Sequence, residues 1–76
     1  MKLDLIRQIL VGRIGAGNAR RFTITNGQPN NKIVIGGKPV SHYAVQQAIE
    51  VVKLVHPEAL IDSIEAFTYL RKPNED

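Results

Sequence analysis

The sequence predicts a small single-domain α+β fold, in which a helix, a β-hairpin and two further helices follow one another. Residues 41–55 place apolar side chains at helical spacing, and residues 21–35 contain two runs with strand character. The chain has 76 residues, of which 43% are hydrophobic, enough for one domain with a modest core. We therefore expect one compact domain over residues 1–72 and a frayed tail at 73–76.

The first predicted element is a helix over residues 1–11. Its apolar residues fall on one helical face: Leu3, Ile6, Ile9 and Leu10. Gly12 is expected to end this helix, because glycine favours turns and loops over helix interiors. Three glycines lie between residues 12 and 17, and we interpret residues 12–21 as a loop.

A β-hairpin is predicted next. Phe22 and Ile24 alternate with polar residues, and a second strand is expected over residues 32–35. The six residues 26–31 contain Asn-Gly and a proline, which favour a polar six-residue tip. The Gly-Gly-Lys-Pro sequence at 36–39 is expected to end the second strand.

The central helix, over residues 41–55, has the clearest pattern in the chain. Its predicted buried face consists of Val45, Ala48, Ile49, Val52 and Val55. Ser41 is a suitable N-cap, because its hydroxyl can accept a hydrogen bond from a first-turn N–H group.

The last predicted element is a third helix that starts at Pro57 and stops before Pro73. Leu60, Ile64 and Phe67 keep helical spacing and are expected in the core. The alternative is a strand over residues 64–70, which would give the order α-β-β-α-β. The strand alternation fails within this segment, so the helix is favoured.

Composition narrows the functional classes. The chain has no cysteine, which excludes disulfides and zinc-thiolate sites. The N-terminal apolar run is short and interrupted by charge, so we expect a cytoplasmic protein without a membrane segment. Because the chain is short and has only four aromatic residues, its core is small and a homodimer is expected.

Charge is distributed unevenly along the chain. Residues 1–40 carry seven basic and one acidic side chain, a net charge of +6, whereas residues 41–76 carry a net charge of −3. A basic half can bind nucleic acid or another phosphate-bearing ligand, or can dock on an acidic protein surface. The candidate nucleic-acid or anion-binding residues are Arg13, Gly15, Gly17, Asn18, Arg20, Arg21, Lys32 and Lys38.

The glycine-rich segment resembles two phosphate-contacting patterns. Gly12-Arg-Ile-Gly15 has the G-x-x-G form with which KH domains clamp a nucleic-acid backbone, and Gly15-Ala-Gly17 resembles part of a dinucleotide-binding turn. Neither pattern has its usual flanking elements in the predicted order, so a helix stop that leads into a hairpin is the favoured interpretation. Exposed backbone N–H groups of this segment, next to Arg13, Arg20 and Arg21, would still form a suitable binding site for phosphate oxygens.

No catalytic residue, metal site or cofactor is expected. His42 and His56 would lie about 21 Å apart along a continuous helix, too far to share a metal ion. Glu58, Asp62 and Glu65 are interpreted as a solvated helix face, because acidic side chains are favourable near a helix N-terminus. The sequence thus predicts a non-catalytic protein rather than an enzyme.

The resulting functional hypothesis is a small non-catalytic binding protein that contacts nucleic acid or another phosphate-bearing ligand through its basic half. The polar hairpin tip would enter a groove with Asn26, Gln28, Asn30 and Asn31. Single-stranded recognition is disfavoured, because Phe22 is the only aromatic residue in the basic half and belongs to the core. The alternative is a protein-interaction module, a small regulator or inhibitor that docks by its hairpin edge or by a helix face.

Overall fold

The computed structural model describes residues 3–29 and 31–71, and it confirms the α+β class and the order helix, hairpin, helices. The elements are α1 Leu3–Ile14, α2 Ala16–Ala19, β1 Phe22–Gly27, β2 Lys32–Gly37, α3 His42–Val55, β3 Leu60–Asp62 and α4 Ile64–Arg71. Two of these, α2 and β3, were not predicted from the sequence. The predicted tail at 73–76 lies outside the described residues.

The sheet has the strand order β1-β2-β3. Strands β1 and β2 are antiparallel, with Phe22 opposite Gly37, and β3 pairs with β2 in parallel. Alternate residues of the hairpin point to one face and are buried: Phe22, Ile24, Ile33 and Ile35. They join buried residues of α1 and α3 in one hydrophobic core. The helices therefore stabilise one face of the sheet, while Thr23 and Thr25 on the other face are exposed.

The predicted hairpin tip is too long. Strand β1 continues to Gly27 and β2 starts at Lys32, so the connection comprises residues 28–31 and includes a cis peptide bond before Pro29. Strand β2 also continues through the Gly-Gly sequence that was expected to end it. Gly37, the last residue of β2, has a φ of 98°. Glycine adopts this backbone conformation without steric cost.

Helix α1 is longer than predicted because Gly12 does not end it. The helix continues to Ile14, whose side chain packs against the core. The break comes at Gly15, which has a φ of 91°, and α2 follows at once. The predicted loop over residues 12–21 is therefore mostly helical. A glycine permits a turn but does not impose one when the next residues favour helix and gain contacts there.

The prediction for α3 is confirmed in its bounds and its cap. The Ala44 N–H donates to Ser41 Oγ at 3.2 Å. The buried residues are Ala44, Val45, Ala48, Val51 and Val52. The observed buried face of α3 differs slightly from the predicted one. Ile49 and Val55, which were predicted to be buried, are only partly buried at the edge of the core.

The C-terminal prediction is right for residues 64–70 and wrong before them. Residues 64–70 are helical, so the strand alternative is wrong. The helix does not start at Pro57, because Leu60–Asp62 pairs with β2 as β3 and the Leu60 N–H donates to the Asn31 carbonyl at 2.9 Å. Leu60 and Ile64 are 53% and 73% exposed and lie outside the core. Ala66 is buried there instead.

Candidate nucleic-acid interface

The hairpin register brings two predicted site residues together at the open end of the hairpin. Arg21 directly precedes β1 and Lys38 directly follows β2. Because Phe22 pairs with Gly37, Arg21 and Lys38 lie opposite each other one position further along the hairpin. The Lys38 N–H donates to the Arg21 carbonyl at 2.9 Å, and Arg21 Nε donates to the Lys38 carbonyl at 2.7 Å. Backbone and side chain together hold these two cationic residues side by side.

Two further arginines adjoin this pair. Arg20 lies between α2 and β1 and is exposed. Arg7 extends from α1 and donates through Nη2 to the Phe22 carbonyl at 2.9 Å. We call Arg7, Arg20, Arg21 and Lys38 the basic cluster. Sequence reasoning left Arg7 out of the site, because fifteen residues separate it from its acceptor and no local motif marks the contact.

Several backbone N–H groups of the glycine-rich segment donate within the fold. The Gly15 N–H donates to the Val11 carbonyl of α1, and the N–H groups of Ala19, Arg20 and Arg21 donate to carbonyls of residues 15–18. Asn18 Nδ2 donates to the Ile14 carbonyl at 2.9 Å and so covers the end of α1. Gly17 lies within α2. We therefore take the side chains of the basic cluster as the candidate site.

Arg13 and Lys32, the other two predicted cations, lie away from the basic cluster. Arg13 Nη1 is 3.0 Å from Glu50 Oε1 and 3.1 Å from Gln47 Oε1, both on α3. Lys32 Nζ is 3.4 Å from Asp62 Oδ2. Lys32 also begins β2 at the closed end of the hairpin, roughly 17 Å from Gly37 at the usual rise per strand residue. Asn26, Gln28 and Asn31, which are exposed, lie at the same end of the hairpin.

The structure also gives no support to a KH-type clamp. Gly12, Arg13 and Ile14 belong to the last turn of α1 rather than to a loop between two helices. The guanidinium of Arg13 is held by α3. The helix that follows Gly15 has only four residues. The G-x-x-G sequence is therefore best explained as a helix stop.

A groove adjoins the basic cluster where α4 passes the end of β2. It has a volume of about 380 Å³ and is lined by Gly37, Lys38, Glu65, Thr68 and Tyr69. We call it the Lys38 groove. The Glu65 carboxylate lies directly over Gly36, and a Cβ atom on that residue would be only 2.6 Å from it. A bare glycine backbone thus makes room for this carboxylate.

Asp62 and His42 have structural partners. Asp62 Oδ1 accepts from the Ile64 N–H at 3.1 Å, and the His42 ring stacks on Phe67 with a centroid distance of 5.7 Å. Within residues 3–29 and 31–71, no three histidine, aspartate or glutamate side chains are grouped so as to hold a metal ion. Over the same residues, no helix is long and apolar enough to cross a bilayer.

Comparison with models of protein families found no match, and neither did comparisons with curated proteins and with solved structures.

Proposed function

We propose that this protein is a small, non-catalytic nucleic-acid-binding protein that contacts the phosphate backbone through the basic cluster. The observation that carries the proposal is the reciprocal pairing of Arg21 with Lys38 at the open end of the hairpin. The Nε bond uses one of the five N–H donors of the Arg21 guanidinium and orients the group. The other four donors suit phosphate oxygens, which guanidinium groups bind with strong charge-assisted hydrogen bonds.

Binding of this kind depends on salt more than on sequence. Each phosphate that a cation neutralises releases a counterion, and the slope of log K against log salt changes by about −0.9 per contact on duplex DNA and −0.7 on single strands. A cluster of four cations therefore supports a slope of about −3 to −4 on duplex DNA.

We expect the double substitution Arg20→Gln and Lys38→Gln to weaken binding and to flatten the salt slope by about two contacts, or roughly 1.8 on duplex DNA. Arg21 stays unchanged, because its Nε bond also supports the hairpin. Fluorescence anisotropy with labelled duplex and single-stranded oligonucleotides, over a series of salt concentrations, measures both the affinity and the slope.

The matched control is Lys32→Gln with Lys53→Gln, which lowers the formal net charge from +3 to +1 as the test pair does. Lys32 lies at the closed end of the hairpin and Lys53 on the exposed side of α3. We expect this pair to leave the slope nearly unchanged. Equal losses in both doubles would mean that net charge alone drives binding, and a parent that binds no oligonucleotide at low salt would end the proposal.

Protein docking is the second candidate function, and the outer edge of β1 favours it. Among the described strands, only β2 pairs with β1. The β1 sequence Phe-Thr-Ile-Thr-Asn-Gly contains no charged residue and no proline, the features that usually protect an edge strand from pairing. An extended segment of a partner, or β1 of a second copy, can add to this edge.

A homodimer through β1 is the form of docking that we expect at micromolar concentration. Two antiparallel β1 strands would join the sheets of two copies across a twofold axis. Sedimentation should then show a mass of twice 8.4 kDa. Thr25→Lys should shift the equilibrium towards monomer by placing like charges near the twofold axis, whereas Gln46→Lys on α3 should not. A parent that stays monomeric at high concentration would argue against pairing through β1.

A further inference from the structure

The Lys38 groove places an aromatic ring beside the basic cluster, a juxtaposition that the sequence does not reveal. Strand β3 pairs with β2 only as far as Val34, so α4 packs beside the remainder of β2. Tyr69, which comes from the acidic half of the chain, consequently lines the same groove as Lys38. From the sequence, single-stranded recognition was disfavoured because the basic half has no such ring outside the core.

We infer that the Lys38 groove binds a nucleobase of single-stranded nucleic acid while the adjoining phosphates contact the basic cluster. This inference rests on the proposed function and names its substrate class. Bases stack on aromatic side chains in many single-strand-binding proteins, and a half-buried tyrosine provides such a platform. Lys38 belongs to both the cluster and the groove, so the two sites form one continuous surface.

The charges in the groove favour a base over a phosphate. The Glu65 carboxylate lines the groove and would repel a phosphate placed within it. The same carboxylate can accept hydrogen bonds from the exocyclic amino groups of bases, as acidic side chains do with the amino group of cytosine. Thr68 adds a hydroxyl that can donate or accept. The groove volume of about 380 Å³ falls within the range of about 300–1,000 Å³ for ligand pockets.

A duplex does not present its bases to such a groove. A paired base reaches a pocket only after it leaves the stack, whereas a single strand offers its bases directly. The basic cluster should therefore contact both forms, and the groove should add affinity for single strands alone. Tyr69→Leu is expected to weaken binding to single-stranded DNA about tenfold and to leave duplex binding unchanged. Tyr69→Phe keeps the ring and should retain most of the single-strand affinity.

Tyrosine fluorescence gives a second readout that requires no change at the groove. The protein has no tryptophan and two tyrosines. Tyr43 lies on α3 and is 63% exposed, so Tyr43→Phe leaves Tyr69 as the only emitter without disturbing the core. Titration of this variant with a single-stranded cytosine-rich oligonucleotide should quench its emission as binding saturates. The control is Tyr69→Phe, in which the Tyr43 emission should change only by the absorbance of the added DNA.

Failure of the inference and failure of the proposed function give different results. If the parent binds single strands with the expected salt dependence but Tyr69 emission is not quenched and Tyr69→Leu binds normally, the base-binding groove is refuted and phosphate binding stands. If the parent binds neither single strands nor duplexes at low salt, both proposals fall. Circular dichroism of Tyr69→Leu checks its fold, and should that variant unfold, the quenching experiment on Tyr43→Phe decides.

Discussion

Gly37→Ala is expected to destabilise the protein by about 3 kcal/mol or more, because strain and steric overlap each cost about 1–3 kcal/mol. Gly37 has a φ of 98°, which residues with a side chain rarely adopt. A Cβ atom there would lie 2.4 Å from the Arg21 carbonyl oxygen and 2.9 Å from the Thr23 nitrogen. Both are backbone atoms of the neighbouring chain segment, so the clash is relieved only if the hairpin opens. Denaturant unfolding followed by circular dichroism measures the loss.

Gly12→Ala is the matched control for this substitution. Gly12 lies in the last turn of α1, and apart from its chain neighbours and the backbone of its own helix no atom lies within 4 Å of the Cβ that alanine would add. Alanine is favoured over glycine in a helix interior by about 1 kcal/mol, so this variant should be more stable than the parent. A Gly37→Ala variant as stable as the parent would contradict the close approach of the two strands at the open end of the hairpin.

Leu10→Ala is expected to cost about 3–4 kcal/mol, within the range for deletion of a buried leucine side chain. Leu10 is fully buried on α1 and belongs to the core that α1 forms with α3 and the hairpin. The loss combines the lost transfer free energy with the cavity that remains, and thermal or denaturant unfolding measures it. Ile49, which the sequence placed in the core, is partly buried, and its replacement by alanine should cost about half as much.

Leu54→Ala makes the same chemical change at an exposed position and serves as its control. Leu54 lies on α3 and is 62% exposed, so its truncation should change stability by less than about 0.5 kcal/mol. Similar losses for Leu10→Ala and Leu54→Ala would contradict the assignment of the core. The comparison also separates burial from helix propensity, because both residues lie within helices.

The elements that the sequence predicts correctly are those with a repeating local pattern. Helix α3 has a cap and four turns of apolar periodicity, and the hairpin has alternation on both sides of a turn. Strand β3 has three residues, too few to show a period, and it forms because Leu60–Asp62 pairs with a strand nearly thirty residues earlier. The stop at Gly15 rather than Gly12 likewise depends on the core contact of Ile14.

Three of the four residues of the basic cluster, Arg20, Arg21 and Lys38, were predicted from the sequence, and hairpin register accounts for the last two. Arg21 and Lys38 flank the two strands, so their proximity follows from the pairing. The sequence could not show that Arg13 and Lys32 lie outside the cluster. Their ion-pair partners, Glu50 and Asp62, come from the acidic half of the chain and approach them only in the folded protein. The separation of charge along the sequence is thus partly cancelled by folding. Tyr69 reaches the Lys38 groove through the packing of α4, which no local pattern indicates.

The hydrogen bond from Arg7 to Phe22 links the basic cluster to the outer edge of β1. The Arg21 carbonyl points towards β2, since it accepts from Lys38, and alternation along the strand turns the Phe22 carbonyl towards the outer edge. Arg7 therefore occupies the Phe22 carbonyl, the first hydrogen-bond acceptor on that edge. An incoming strand can form backbone hydrogen bonds only with the residues of β1 that follow Phe22. A phosphate that draws the Arg7 guanidinium away would lengthen the available ladder. Nucleic-acid binding and strand pairing would then be thermodynamically coupled through one guanidinium group, each increasing the affinity of the other.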